Sequence, residues 1–259
     1  MSPTHLHFDS ALGKRKPESI LNREAVCPFC NFDGLEEIID QRDTMLLVKN
    51  KFQVLQGSFQ TVLIESDQCD AELSTYEKPY LHLLISFAVE KWLEMEKSGE
   101  YRSVMMFKNH GHYSGGSIHH PHMQIIGFHE FNYLQYTSKE QFEGVLIDQR
   151  EGVELNVSTK PRAGFFEFNI ILHEIFQLNQ LADYIQVLVH YILNHFNQSC
   201  KSYNLFFYRM DEQIYVKVVP RFVTSPLFIG YSIPQVSTNL HTVIEDIKNK
   251  YFAIKVDKD

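Results

Sequence analysis

Ser114-Gly115-Gly116-Ser117-Ile118-His119-His120-Pro121-His122-Met123-Gln124-Ile125-Ile126-Gly127 runs small residues straight into a histidine cluster and then into an apolar strand. Glycine and serine let the backbone approach a phosphate and offer it N–H and O–H donors. His120, His122 and Gln124 alternate at the spacing that puts three side chains on one face of a strand. Imidazoles beside such a cradle suit nucleophilic attack on a phosphoryl group.

Working outward, Ser103–Phe107 has strand character, and the segment before it has helical periodicity. Leu81, Leu84, Ile85, Ala88 and Trp92 recur at offsets of three and four, and Ser74-Thr75-Tyr76-Glu77 has the pattern of a capping box that would open this helix. Pro79 is tolerated only near such a start. The order returns further on. Leu181, Ile185, Leu188, Val189, Ile192 and Phe196 share a helix face, followed by strands near Tyr203–Tyr208 and Ile214–Val219. Helix, strand, strand occurring twice predicts an α+β fold of two similar halves, 1–145 and 146–259, each an antiparallel sheet with a packed helix.

A chain of 259 residues suffices for one large domain or two smaller ones. Its formal charge of −8 argues against a nucleic-acid polymer as partner, because phosphate-backbone binding draws on clustered Lys and Arg. A small anionic substrate needs only a few local donors. The stretch Met1–Asp9 has no basic region followed by an apolar core, so no secretory signal is expected, and no window has the run of about 18 apolar residues that a membrane span requires. Four cysteines, two of them close together, fit a reduced, cytoplasmic protein with a metal site better than a disulfide framework. Cys27-Pro28-Phe29-Cys30 supplies half of a tetrahedral site by its spacing; a redox pair or two core cysteines are the other readings.

Asn109, then Ser117-x-x-His120-Pro121-His122-x-Gln124, resembles the galactose-1-phosphate uridylyltransferase branch of the histidine-triad superfamily, where glutamine replaces the triad's third histidine as Gln124 does here. The resemblance implies two histidine-triad-like halves. The second reads Tyr215-Val216-Lys217-Val218-Val219-Pro220 where the first has its histidines, so nucleophilic chemistry is expected of the first alone, and the relatives' second-half metal site is expected to be absent.

The resemblance further implies that the Cys27/Cys30 pair is completed by His120 and by the residue after Thr61–Gln68, which is Cys69 where relatives carry histidine. Cysteine serves zinc equally well. Cys27, Cys30, Cys69 and His120 would then close a structural zinc site, leaving Cys200 outside it. His122 would be the nucleophile, its ring oriented by a backbone carbonyl of the His-Pro-His turn. Gln124 would donate to a non-bridging phosphoryl oxygen, Ser117 with the Gly115 and Gly116 N–H groups would hold the leaving phosphate, and Asn109 is the matching nucleotide-site polar residue on the preceding strand. Asn50 and Phe52 match the segment that receives the nucleoside, and Phe228-Ile229-Gly230-Tyr231 with Gln235 the one that meets the phosphosugar, though Ser232 stands where an acid is expected. Lys14, Arg15 and Lys16 resemble a basic phosphate-contacting segment, with a solvated basic run as the simpler reading. Lys108 replaces a common acidic residue and would alter the field around a phosphate.

The implied function is a nucleotidyltransferase or phosphorylase acting on a nucleoside diphosphate sugar or related pyrophosphate through a covalent nucleotidyl-histidine. The alternatives are a nucleotide hydrolase of the same superfamily and a non-catalytic zinc-containing nucleotide-binding protein. A homodimer is expected by analogy, since family members build sites partly across one.

Overall fold

Val104 and Met106 are buried on one face of strand β4 (Ser103–His110), and Met123 and Ile125 do the same on β5 (His122–Phe128). That alternation presses both strands against helix α2 (Lys78–Lys97), which buries Leu81, Leu84, Ile85, Ala88 and Trp92 as its periodicity predicts. Trp92 completes the contact by donating its indole N–H to the Val104 carbonyl at 3.0 Å. In the computed structural model, which describes residues 4–22, 24, 26–31 and 35–253, the same unit recurs. Helix α3 (Leu178–Tyr191) packs on β10 (Gln213–Pro220), which pairs with β9 (Tyr203–Met210), and on the strands beyond β10, and Ile192–Phe196 continue it as a wider π-helical turn. Part of the amino-terminal stretch read for a signal, residues 1–3, lies outside the described residues.

A short helix α1 (Ser10–Gly13) precedes the sheet, whose remaining strands are β1 (Ile38–Arg42), β2 (Met45–Lys49), β3 (Ser58–Ile64), β6 (Gly144–Arg150), β7 (Val153–Ser158) and β8 (Phe168–Leu172). All ten form one antiparallel sheet in the order β1-β2-β3-β5-β4-β9-β10-β8-β7-β6. Read from the central β4·β9 pair, the two sides are mirror lists, so each half is five strands and a helix around a pseudo-two-fold axis. The halves are nevertheless joined. Their strands share one sheet, α2 and α3 pack on each other, and one apolar cluster runs through both. The division expected after residue 145 falls inside β6, which among the described residues pairs with β7 alone.

Two local expectations change. Ser74–Glu77 does not cap α2: the Ser74 N–H donates to the Glu72 carboxylate at 2.6 Å and the Thr75 N–H to the Glu72 carbonyl at 2.9 Å, so a turn consumes the segment. The helix starts at Lys78 with Pro79 in its first turn, where a missing N–H costs nothing. His120 also does not share the strand of His122 and Gln124. Pro121 has no N–H for a ladder, its carbonyl accepts from the Glu65 N–H at 3.0 Å, and β5 begins only at His122. Among the described residues no helix is long and apolar enough to cross a membrane.

Candidate active site and metal centre

His120, held out of the strand by Pro121, turns its Nδ1 toward two thiols. The Nδ1···Sγ distances are 3.5 Å to Cys27 and 3.6 Å to Cys30, and the ligand atoms of Cys27, Cys30, Cys69 and His120 all lie within 4.8 Å of one another. A tetrahedral zinc with ordinary Zn–S and Zn–N bonds has S···N edges of about 3.5 Å, so the donor set fits that ion. The Nε2–H of His120 donates to the Ser66 carbonyl at 2.8 Å, which fixes the tautomer that leaves Nδ1 free to ligate. Burial and neighbouring thiols raise Cys69 and Cys30 above their ordinary range, so a thiolate set here needs a cation. The Cys3His group could therefore bind a metal ion. His110, His112, His119 and His129 join no second such group among the described residues.

His122 stands at the start of β5 on the sheet face opposite the helices. Its Nδ1–H donates to the His120 carbonyl at 2.7 Å, leaving the lone pair on Nε2. Burial pulls this imidazole down to about 4, and the charge on Lys108 acts in the same direction, so the ring is neutral. Phe29, between the two cysteines, sets its ring against both His120 and His122, with centroids at 6.0 and 5.5 Å. One aromatic side chain thus packs the metal group against the strand histidine.

A cavity of about 260 Å³ opens over this face. The structure places Asn50, Phe52, Asn109, Gly115, Gly116, Ser117, His122 and Gln124 around it together. Gly115 has φ +82°, which a side chain would resist, and a Cβ on Gly116 would lie 3.0 Å from that of Asn109. The Gly116 N–H already donates to Ser114 Oγ at 3.2 Å. Asn109 Oδ1 accepts from Asn204 Nδ2 at 2.6 Å, an orientation that leaves the Asn109 NH2 as the group to offer a ligand. Asn50 Oδ1 accepts from the Phe52 N–H at 2.8 Å, turning the chain so that both residues border the cavity.

The structure also places three further segments that the sequence singles out. Lys14 and Arg15 are exposed, but Lys16 is half-buried on the cavity wall and burial lowers its pKa, so the basic run is not simply solvated. The missing signal was tertiary: the Ser19 and Ile20 N–H groups donate to the Ser117 carbonyl at 2.8 and 3.2 Å, strapping the amino-terminal segment onto the glycine loop. Lys108 points to the helix side, where its Nζ lies 2.5 Å from Glu65 in a buried ion pair; it does not line the cavity, but its charge still acts on His122. Phe228–Tyr231 lies in the short helix α4 (Pro226–Tyr231), away from this cavity, with Ile229 and Tyr231 largely exposed.

Similarity searches agree on the architecture. No curated protein sequence matches the chain. Among solved structures, a DUF4931 family protein from Bacillus cereus ATCC 10987 is 46% identical, with a TM-score of 0.77 over 84% of this chain and 100% of that one. An ADP-glucose phosphorylase from Arabidopsis thaliana, solved with ADP-glucose, is 15% identical with a TM-score of 0.70 over 95% of each chain. A structure described as a uridylyltransferase is 15% identical with a TM-score of 0.69, covering 87% of this chain and 91% of that one. At those identities the likeness establishes the fold alone, an arrangement shared with a uridylyltransferase and an ADP-glucose phosphorylase. The domain of unknown function DUF4931 matches through its N-terminal domain over residues 8–131 and its C-terminal domain over residues 134–252, and with the Bacillus relative this places the chain in the DUF4931 family.

Proposed function

We propose that this protein is a nucleotidyltransferase or phosphorylase that acts on a nucleoside diphosphate sugar or related pyrophosphate through His122. The observation that carries the reading is the His122 ring: Nδ1–H is held by the His120 carbonyl, the imidazole is kept neutral, and the ring borders a cavity shared with Gln124, Ser117 and the glycine loop. In the first step the Nε2 lone pair attacks the α-phosphorus. A P–N bond forms, the P–O bond to the leaving phosphate breaks, and that phosphate departs with the electron pair. In the second step an acceptor oxygen forms a new P–O bond and the P–N bond breaks. Gln124 and the Asn109 amide supply N–H donors to phosphoryl oxygens as charge develops, and Phe52 and Asn50 flank the nucleoside. Related folds described as a uridylyltransferase and an ADP-glucose phosphorylase support this reaction class.

Zinc held by Cys27, Cys30, Cys69 and His120 supplies a cross-link, because four protein ligands fill a tetrahedron and leave no place for a reacting water. The nucleotide segments Asn50–Phe52 and Ser117–Gln124 and the metal ligands all belong to the first half, 1–145, with 146–259 as a scaffold half. A homodimer belongs to this reading by analogy with the family the motif resembles. Four cysteines without a disulfide suit the cytoplasm.

Intact-protein mass spectrometry after exposure to a panel of nucleotide sugars and dinucleoside polyphosphates tests the proposal. The expected result is one nucleoside monophosphate added per chain, acid-labile and base-stable, absent in His122→Asn and discharged by a second acceptor. Discharge by water alone would make the protein a hydrolase, and turnover persisting in His122→Asn would exclude covalent chemistry.

A further inference from the structure

Over the second half, the same helix-free face of the sheet floors a larger cavity of about 1060 Å³. Phe206 and Tyr208 of β9 and Lys217 and Val219 of β10 line it, and Phe165 and Phe228 face it from the loops. A lining dominated by aromatic rings with a few converging polar groups is the usual character of a small-molecule site.

The charges decide what kind of molecule. Lys217 is spent: its Nζ donates to the Gln141 carbonyl at 2.6 Å and to Asn169 Oδ1 at 2.8 Å, and lies 3.0 Å from the Glu167 carboxylate. Arg162 and Arg221 are not. Among the described residues Arg42, Arg150 and Arg209 pair with carboxylates, whereas neither of these two guanidiniums is in an ion pair, and Arg162 has the Tyr208 side chain as its hydrogen-bond partner. Arg221 is half-buried, and only its Nη1 has a partner, donating to Asn204 Oδ1 at 2.7 Å. Burial lowers its pKa and no acidic group acts against that shift. A cation drawn out of water without a counter-charge is costly unless something else satisfies it. Two guanidiniums outside any ion pair, in an aromatic cavity whose lining carboxylate Glu167 is held by Lys217, are conspicuous in a chain whose formal charge is −8.

We propose that this cavity binds a small anion carrying a planar ring, of the size of a nucleoside monophosphate, with the ring among Phe206, Tyr208 and Phe228 and the anionic group on Arg162 and Arg221. The inference does not depend on the reading of His122. Charge-assisted contacts to two guanidiniums supply the anion's affinity, and stacking on aromatic faces supplies the ring's.

The probe is 8-anilinonaphthalene-1-sulfonate, a planar ring sulfonate whose fluorescence reports burial, titrated into the full chain. Saturable binding of about one molecule is expected, weakened about tenfold in Arg162→Met and in Arg221→Met, the scale of one charged hydrogen bond. Lys16→Met, which alters the smaller cavity, should leave the titration unchanged. AMP should displace the probe and adenosine should not. Equal binding in both arginine variants, loss of binding in Lys16→Met, or equal displacement by adenosine would each overturn the proposal. So would sedimentation showing a dimer that excludes the probe, since a second copy would then be the occupant. Should Arg221→Met melt well below the parent, Arg162→Met alone decides, because its side chain sits on a surface loop. Failure here leaves the His122 adduct intact, so the two readings fall separately.

Discussion

β5 and β10 occupy matching places in the two halves of one sheet, each between two antiparallel neighbours and each with its apolar alternate residues under a helix. Their helix-free faces differ completely. β5 presents His122 and Gln124 beside a cavity of about 260 Å³, while β10 presents Tyr215, Lys217 and Val219, two of which line one of about 1060 Å³. The frame is set by burial on one side of the sheet, which leaves the other side free to diverge. Chemistry could be lost from one half without disturbing the fold because the strand's two faces answer to different constraints.

The sharpest way to break this comparison is at the cysteines. Cys27→Ser with Cys30→Ser should remove a bound zinc and lower stability by roughly 5 kcal/mol, about 10 °C or more in melting temperature. Elemental analysis and calorimetry check this. Cys200→Ser, buried in the second half, should cost only about 1–2 kcal/mol and leave zinc at one per chain. Unchanged stability in the double variant would remove the metal from the account of the first half.

Each half also buries one lysine–glutamate pair, and the two should respond unequally. Lys108→Met leaves Glu65 buried, with only the Tyr76 hydroxyl at 3.4 Å, and should destabilise by about 3–5 kcal/mol. Lys217→Met leaves Glu167 still accepting the Arg162 and Ala163 N–H groups at 2.8 and 3.0 Å, so about 1–3 kcal/mol is expected. Urea titration of both variants gives the order, and adding Glu65→Gln should restore much of the first loss. The reverse order would show that backbone donors do not substitute for the ammonium.

A smaller effect is expected from Gln124→Ala, which should slow formation of the nucleotidyl adduct about 10²-fold with zinc and stability unchanged. Quenched-time mass spectrometry reads this rate. The smallest sharpens the question of independence. Asn204, a second-half residue, holds Asn109 and the Ser114 carbonyl at 2.6 and 2.9 Å, so Asn204→Ala should slow the adduct about fivefold, the worth of one hydrogen bond. No change would mean that the second half supports the cavity only by shape.

Short windows of sequence determined the periodic elements and the motif. The faces of α2 and α3, the strand pairs after each, the Cys-x-x-Cys pair and the alternation of His122 with Gln124 all follow from spacings of two to four residues, where the backbone repeat itself dictates the neighbours. At that same scale the capping box and the place of His120 are not decided, because the Glu72 turn and the Pro121 carbonyl bond compete with the local pattern. Only the tertiary structure decided the rest. It brought Lys16 to the cavity wall, paired Lys108 with Glu65, packed Phe29 on both histidines, joined ten strands into one sheet, and brought Arg162 and Arg221 to the lining of one cavity. The Cys27–His120 and Asn109–Asn204 contacts span 93 and 95 residues, and no local repeat carries information over that distance. Such contacts are chosen by which faces must leave water together, and that becomes defined only when the strands have paired.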